Sequence, residues 1–152
     1  MLTGGGAATV YAPEAYQSRD LDFILTYQSS IKSGSAQPLI ELGFTELGGV
    51  YRHPNTPFSV EFPPGPLAID DEIIRSYETI REAGLVLHIL TPTDCVRDRL
   101  SWFLYNNDYA GLDQAVAVAQ SQPVDLKLVK DWCLKQNETR KYEMFLARLK
   151  KS

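Results

Sequence analysis

The stretch Gly4-Gly5-Gly6-Ala7-Ala8-Thr9-Val10-Tyr11-Ala12-Pro13, followed across a short gap by Ser18-Arg19-Asp20-Leu21-Asp22-Phe23-Ile24-Leu25, decides the fold. The glycine turn opens a short helical run over Ala7 to Ala12, which Pro13 ends. Ser18-Arg19 then leads into Asp-Leu-Asp-Phe-Ile-Leu, which reads as a strand: apolar, β-rich and bounded by polar residues. Side chains alternate across a strand, so Asp20 and Asp22 share one face with Cα atoms roughly 6.5–7 Å apart, while Leu21 and Phe23 anchor the other. Two carboxylates on one face repel each other unless a positive charge stands between them. A hard divalent cation with oxygen ligands is one answer. Two solvated acids on an edge strand is the other, and the pair alone does not choose.

The glycine turn upstream of the Asp-x-Asp strand adds a second signal. Gly5-Gly6 followed by Ser18-Arg19-Asp20-Leu21-Asp22-Phe23 resembles the signature of the nucleotidyltransferase superfamily typified by DNA polymerase β. The likeness is greatest to its small prokaryotic members, which include abortive-infection type toxins. The resemblance implies an α+β fold, with a small mixed sheet followed by a C-terminal helical bundle. It implies Mg²⁺ (or Mn²⁺) held by Asp20, Asp22 and a third acid from a neighbouring strand, with the Gly5 and Gly6 backbone cradling phosphates. Ser18 and Arg19 would flank the carboxylates. The implied activity is transfer of a nucleotidyl group from an NTP to a hydroxyl on RNA, protein or a small molecule. A competing expectation is a protein of the same fold that lacks turnover and serves as a binding or toxin–antitoxin component.

In the family a helix and most of a strand precede the glycine turn, whereas only Met1-Leu2-Thr3 do so here. The expectations are a truncated chain, a misplaced start, or a missing strand supplied by a partner or by a second copy in a homodimer, with an open sheet edge near residue 1. A dimerising structural protein is the third reading.

Phe58-Ser59-Val60-Glu61-Phe62 is the second informative strand. Phe58, Val60 and Phe62 share one face, and Ser59 and Glu61 the other. Glu61 is either a solvent-facing acid or the third metal ligand that the resemblance implies, with Glu where many relatives carry Asp. The stretch Leu90 to Leu100 also resembles the region after the family's catalytic sheet, where a helical basic residue reaches the nucleotide phosphates. Arg99 is the candidate for that contact and Arg97 the alternative; an ordinary salt bridge with Asp94 or Asp98 is the plain explanation of either.

Elsewhere the pattern is conventional. The polar run 27–35 reads as a loop, Pro38 to Leu42 as a helix, and Phe44 to Arg52 as one strand despite Gly48-Gly49. Asp70-Asp71-Glu72 marks a turn or a helix start. Ile73 to Ile80 is ambiguous, since propensity allows a helix ending near Gly84; the resemblance implies a hairpin instead, with strands Tyr77 to Ile80 and Leu85 to Leu90 and its turn at Arg81 to Gly84. The periodicity then changes from two to about 3.6. Four helices are expected: Asp94 to Asn106 capped by Thr93, Asp108 to Gln120, one capped by Asp125 with Leu128, Val129, Trp132 and Cys133 inward, and Glu138 to Lys150. The division is an α/β core over 1–90 and a helical part over 91–152.

The composition bounds the rest. A length of 152 residues with 44% hydrophobic and 22% charged content suits one compact domain with a core. The net charge of −4 argues against broad nucleic-acid binding. Cys95 and Cys133 have neither CxxC nor zinc-ligand spacing, and buried thiols in a cytoplasmic protein are expected. No run is long enough to span a bilayer, and the start lacks a basic signal-peptide segment. The glycines form neither a dinucleotide fingerprint nor a P-loop.

Overall fold

The computed structural model describes residues 1–25 and 36–151. The loop expected over 27–35 lies outside the described residues. The chain is α+β. Among the described residues nine strands come first, interleaved with two helices: β1 (Leu2–Thr3), α1 (Gly4–Tyr11), β2 (Asp20–Phe23), α2 (Gln37–Glu41), β3 (Thr45–Leu47), β4 (Val50–Arg52), β5 (Ser59–Glu61), β6 (Ala68–Ile69), β7 (Glu72–Ile73), β8 (Glu78–Glu82) and β9 (Leu85–Ile89). Four helices follow: α3 (Pro92–Asn106), α4 (Tyr109–Ser121), α5 (Leu126–Lys135) and α6 (Thr139–Leu149).

Seven strands form one mixed sheet in the order β3-β4-β5-β2-β1-β9-β8, and β6 and β7 form a separate small hairpin. β1 is short but central. Leu2 and Thr3 pair antiparallel with Phe23 and Asp22 of β2, and Leu2 pairs in parallel with Ile89 of β9. The expected open edge near residue 1 is therefore corrected: among the described residues the sheet ends at β3 and β8, and β1 lies inside it. Burial explains this placement, since Leu2 and Thr3 are only 2% and 3% exposed.

One buried apolar cluster joins Leu2, Ala7, Ala8 and Tyr11 to Ile89, then to Val96, Leu100, Phe103 and Leu104 of α3, Leu112 and Val118 of α4, and Val129 and Phe145 beyond. Val96, Leu100, Phe103 and Leu104 fall at helical spacing and form the buried stripe of α3. Each such side chain contributes roughly 1.5–3 kcal/mol when fully buried. The Tyr11 hydroxyl donates to the Leu90 carbonyl at 2.5 Å, tying α1 to the end of β9.

Several local expectations change. Phe44 to Arg52 is a hairpin rather than one strand. Gly48 and Gly49 have φ of +63° and +87°, the conformation that a two-residue hairpin turn requires. Of the two readings of the acidic trio the turn holds: Asp70 and Asp71 link β6 to β7, Glu72 opens β7, and Asp70 at φ +54° accepts from the Trp132 indole N–H at 2.6 Å. Helix α3 is capped by Thr91, not Thr93: Asp94 N–H donates to Thr91 Oγ1 at 3.1 Å, and Pro92 occupies the first turn. Thr93 Oγ1 instead accepts from Asp125 N–H at 3.0 Å. Leu128 is 41% exposed, so the inward stripe of α5 is Val129, Trp132 and Cys133. Asp108 and Asp125 cap α4 and α5 as expected.

Among the described residues no helix is long and apolar enough to cross a membrane. Both cysteines are free and buried. Burial pushes both thiols up, Cys133 to about 12, so neither is an activated nucleophile.

Candidate functional site

Strands β2 and β5 run parallel, with Asp20 opposite Ser59, Leu21 opposite Val60 and Asp22 opposite Glu61. Directly paired residues share a sheet face, so Asp20, Asp22, Ser59 and Glu61 stand on one side. Leu21 and Val60 stand on the other, where Val60 is 7% exposed and Leu21 packs against the core. The apolar alternation of two short strands thus brings three carboxylates to one face. The Asp20 Oδ1 atom accepts from Ser59 Oγ at 2.5 Å. Glu61 is the direct lateral neighbour of Asp22.

The start of α1 closes over this face. Gly4 has φ +64°, and a Cβ there would lie 2.7 Å from Asp22 Oδ2 and 3.7 Å from Arg99 Nη2. Only a residue without a side chain lets the backbone come this close to the carboxylate. At Gly5 a Cβ would meet the Tyr16 hydroxyl at 3.0 Å and Ser18 Oγ at 3.1 Å; at Gly6 it would meet Leu2 and Leu21 at 3.1 and 3.2 Å. The glycine run is therefore needed for packing as well as for the turn. All three glycines are buried.

Arg99 reaches the same place from α3. Its Nε and Nη2 donate to Asp98 Oδ2 at 3.0 and 2.7 Å, and its Nη1 donates to Gln114 Oε1 at 3.4 Å. Gly111 permits this approach: a Cβ there would lie 2.6 Å from the Arg99 carbonyl oxygen, so α4 packs directly on α3. Arg97 is roughly 200° around the helix from Arg99 and belongs to a different environment. It is 2% exposed, pairs with Asp94 at 2.9 Å and with Glu72, and lies over the Trp132 ring at 5.6 Å. Of the two basic candidates, Arg99 faces the carboxylates and Arg97 locks the β6–β7 hairpin and α5 onto α3.

The electrostatics single out Asp22. Burial pushes its carboxyl above the usual range, Glu61 pushes it further, Arg99 opposes, and Asp20 and Asp98 add to the rise. Asp22 is thus a carboxylate short of positive charge. The donor set is all oxygen, which suits a hard cation such as Mg²⁺ or Mn²⁺. Among the described residues, however, no three acidic, histidine or cysteine side chains are gathered as a ready-made ligand cage. Asp22 and Glu61 form the adjacent pair, and Asp20 is engaged with Ser59.

Ser18 and Arg19 have structural contacts. Ser18 N–H donates to Thr9 Oγ1 at 2.6 Å, and Asp20 N–H donates to Ser18 Oγ at 3.2 Å, which fastens the entry of β2 to α1. The Arg19 carbonyl accepts from Ser59 N–H at 2.8 Å. Its side chain is exposed, and among the described residues no hydrogen bond or ion pair joins it to the carboxylates. The expected salt bridges are present, Arg99 with Asp98 and Arg97 with Asp94, and the residue the sequence reading missed is Gln114. Gln114 had a signal: it is a polar residue, 8% exposed, inside the apolar face of α4 formed by Leu112, Ala115 and Val118.

No family model matches the chain, and no curated protein and no solved structure is significantly similar to it.

Proposed function

We propose that the chain is a divalent-metal-dependent nucleotidyltransferase that moves a nucleotidyl group from an NTP to a hydroxyl on RNA, protein or a small molecule. The observation that carries the reading is the register of Asp22 with Glu61, two carboxylates side by side beneath a glycine helix start and beside a guanidinium. Asp22 and Glu61, with Asp20 on the same strand, would hold Mg²⁺ or Mn²⁺. When bound, the metal neutralises triphosphate charge and makes the acceptor hydroxyl easier to deprotonate.

The chain's own groups supply the remaining contacts. The first N–H groups of α1 have no intrahelical acceptor, and the positive end of the helix favours phosphate oxygens. Gly5 and Gly6 present that backbone. Arg99 meets the charge of the phosphates, and Gln114 and Asp98 hold it in line. Catalysis of this kind rests on positioning and electrostatics more than on a covalent protein intermediate. The net charge of −4 favours a compact acceptor or a local groove over extended nucleic-acid contact.

A second reading, a nucleotide-binding component without turnover, draws on one observation. Asp98 takes two hydrogen bonds from Arg99, so the guanidinium is already neutralised. One assay separates the readings. The protein is incubated with each α-labelled NTP, Mg²⁺ or Mn²⁺, and total RNA or a protein extract. Label moving to an acceptor, and ceasing to move with Asp22→Asn, supports the enzyme. Metal-dependent NTP binding with no transfer supports the binding component.

A further inference from the structure

We infer that the cleft between Tyr16 and one face of α4 is the nucleobase subsite of the nucleotide; this rests on the reading above. The cleft has a volume of about 400 Å³ and is lined by Tyr16 and Ala15 on one side and by Ala110, Gln114, Ala117 and Gln120 of α4 among others. That volume lies within the range of small-molecule pockets.

Two contacts join it to the carboxylate site. The Tyr16 hydroxyl stands 3.0 Å from where a Gly5 Cβ would be, so the aromatic wall begins at the glycine turn. On the other side, Arg99 spans the gap: its Nη2 is beside Gly4 and Asp22, and its Nη1 donates to Gln114. One guanidinium therefore separates the cleft from the place assigned to the phosphates. A nucleotide reaching from phosphates to base has this shape.

The chemistry of the walls fits a base. A nucleobase is a flat apolar plate with a polar rim. Tyr16 supplies an aromatic surface, and the alanines at 110 and 117 leave room opposite it. Gln114 is 8% exposed and reads the rim. A guanidinium only donates, so the Gln114 oxygen must face Arg99, and its NH₂ is left on the other side. Among the described residues that NH₂ makes no hydrogen bond. That NH₂ is not sealed in the core, so a base carbonyl or ring nitrogen entering the cleft would accept from it; the Asp113 carboxylate also lines the cleft. Gln120 adds a second amide at the exposed mouth.

The test compares Mg²⁺-dependent binding of each NTP with that of inorganic tripolyphosphate, by calorimetry on the whole chain. Wild type should bind at least one NTP tenfold or more tightly than tripolyphosphate. Ala110→Trp, at an exposed position lining the cleft, should erase that advantage and leave tripolyphosphate binding unchanged, which also shows that the variant is folded. Should Ala110→Trp lose both ligands, Gln120→Trp at the exposed mouth replaces it in the same comparison. Equal binding of NTP and tripolyphosphate by wild type, or an undiminished NTP advantage in the variants, overturns the base subsite while leaving the phosphate and metal site standing. Binding of neither ligand by wild type overturns the nucleotidyltransferase reading and the subsite together.

Discussion

Replacing Gly4 by alanine tests whether the approach of α1 to Asp22 is functional. The residue has φ +64°, and its Cβ would sit 2.7 Å from Asp22 Oδ2. The backbone conformation alone costs an L-residue about 1–2 kcal/mol. Gly84 provides the reference: its φ is +80°, and nothing lies within 4 Å of its virtual Cβ. Gly84→Ala should therefore lose only the backbone term, a drop in Tm of about 2–4 °C per kcal/mol for a chain of this size. Gly4→Ala adds a contact that real Cβ atoms do not make, so the Asp22 carboxylate or the helix start must move. Urea unfolding should show Gly4→Ala to be the less stable variant, by about 1 kcal/mol or more beyond Gly84→Ala, as expected for overpacking. Metal-dependent NTP binding should be lost in Gly4→Ala and kept in Gly84→Ala. Equal destabilisation of the two variants, with NTP binding intact in both, would refute the argument that Gly4 is bare in order to admit Asp22.

Further outcomes follow from the same geometry. Asp22 is held above its ordinary value of 3.8 by burial and then by Glu61. The folded state thus keeps a proton that the unfolded chain has released, and stability without metal falls as pH rises through that window. Asp22→Asn should be more stable than wild type at pH 7, with the difference closing below about pH 3.8, as read by denaturant midpoints; added Mg²⁺ should stabilise wild type and not the variant. Arg97→Ala removes one side of a buried ion pair and should cost about 3–5 kcal/mol in urea unfolding. Arg99→Ala leaves the largely buried Asp98 carboxylate without its partner and should cost about 1–3 kcal/mol in the same measurement, and it should also weaken Mg²⁺-NTP binding tenfold or more. Cys95 and Cys133 should both resist a thiol reagent until the chain unfolds; fast labelling of either in the native protein contradicts the core assignment.

The sheet-then-helices order was legible because the hydrophobic period changes from two to 3.6 after Leu90. The Asp20/Asp22 face was legible from strand alternation, and Glu61 from the same rule applied to a second strand. Their meeting was not, because the register of β2 on β5 depends on strands brought together from 39 residues apart. The position of β1 was misjudged for a related reason. A two-residue strand has almost no pattern of its own, and pairing with β2 and β9 makes it central. The Gly48-Gly49 turn was available in the sequence, since adjacent glycines between branched and aromatic residues favour a hairpin. Thr91 was equally available as a cap, given Pro92 behind it. Arg97 and Arg99 separate only once α3 has a buried side, which helical spacing then divides between them.

The most direct test of the central claim is calorimetry of NTP binding with and without Mg²⁺, on wild type and on Asp20→Ala/Asp22→Ala. The account predicts that wild type binds an NTP only when the metal is present, and that the double variant, folded by circular dichroism, binds none. Failure of wild type to bind any NTP with Mg²⁺ or Mn²⁺, or equal binding by the double variant, contradicts it.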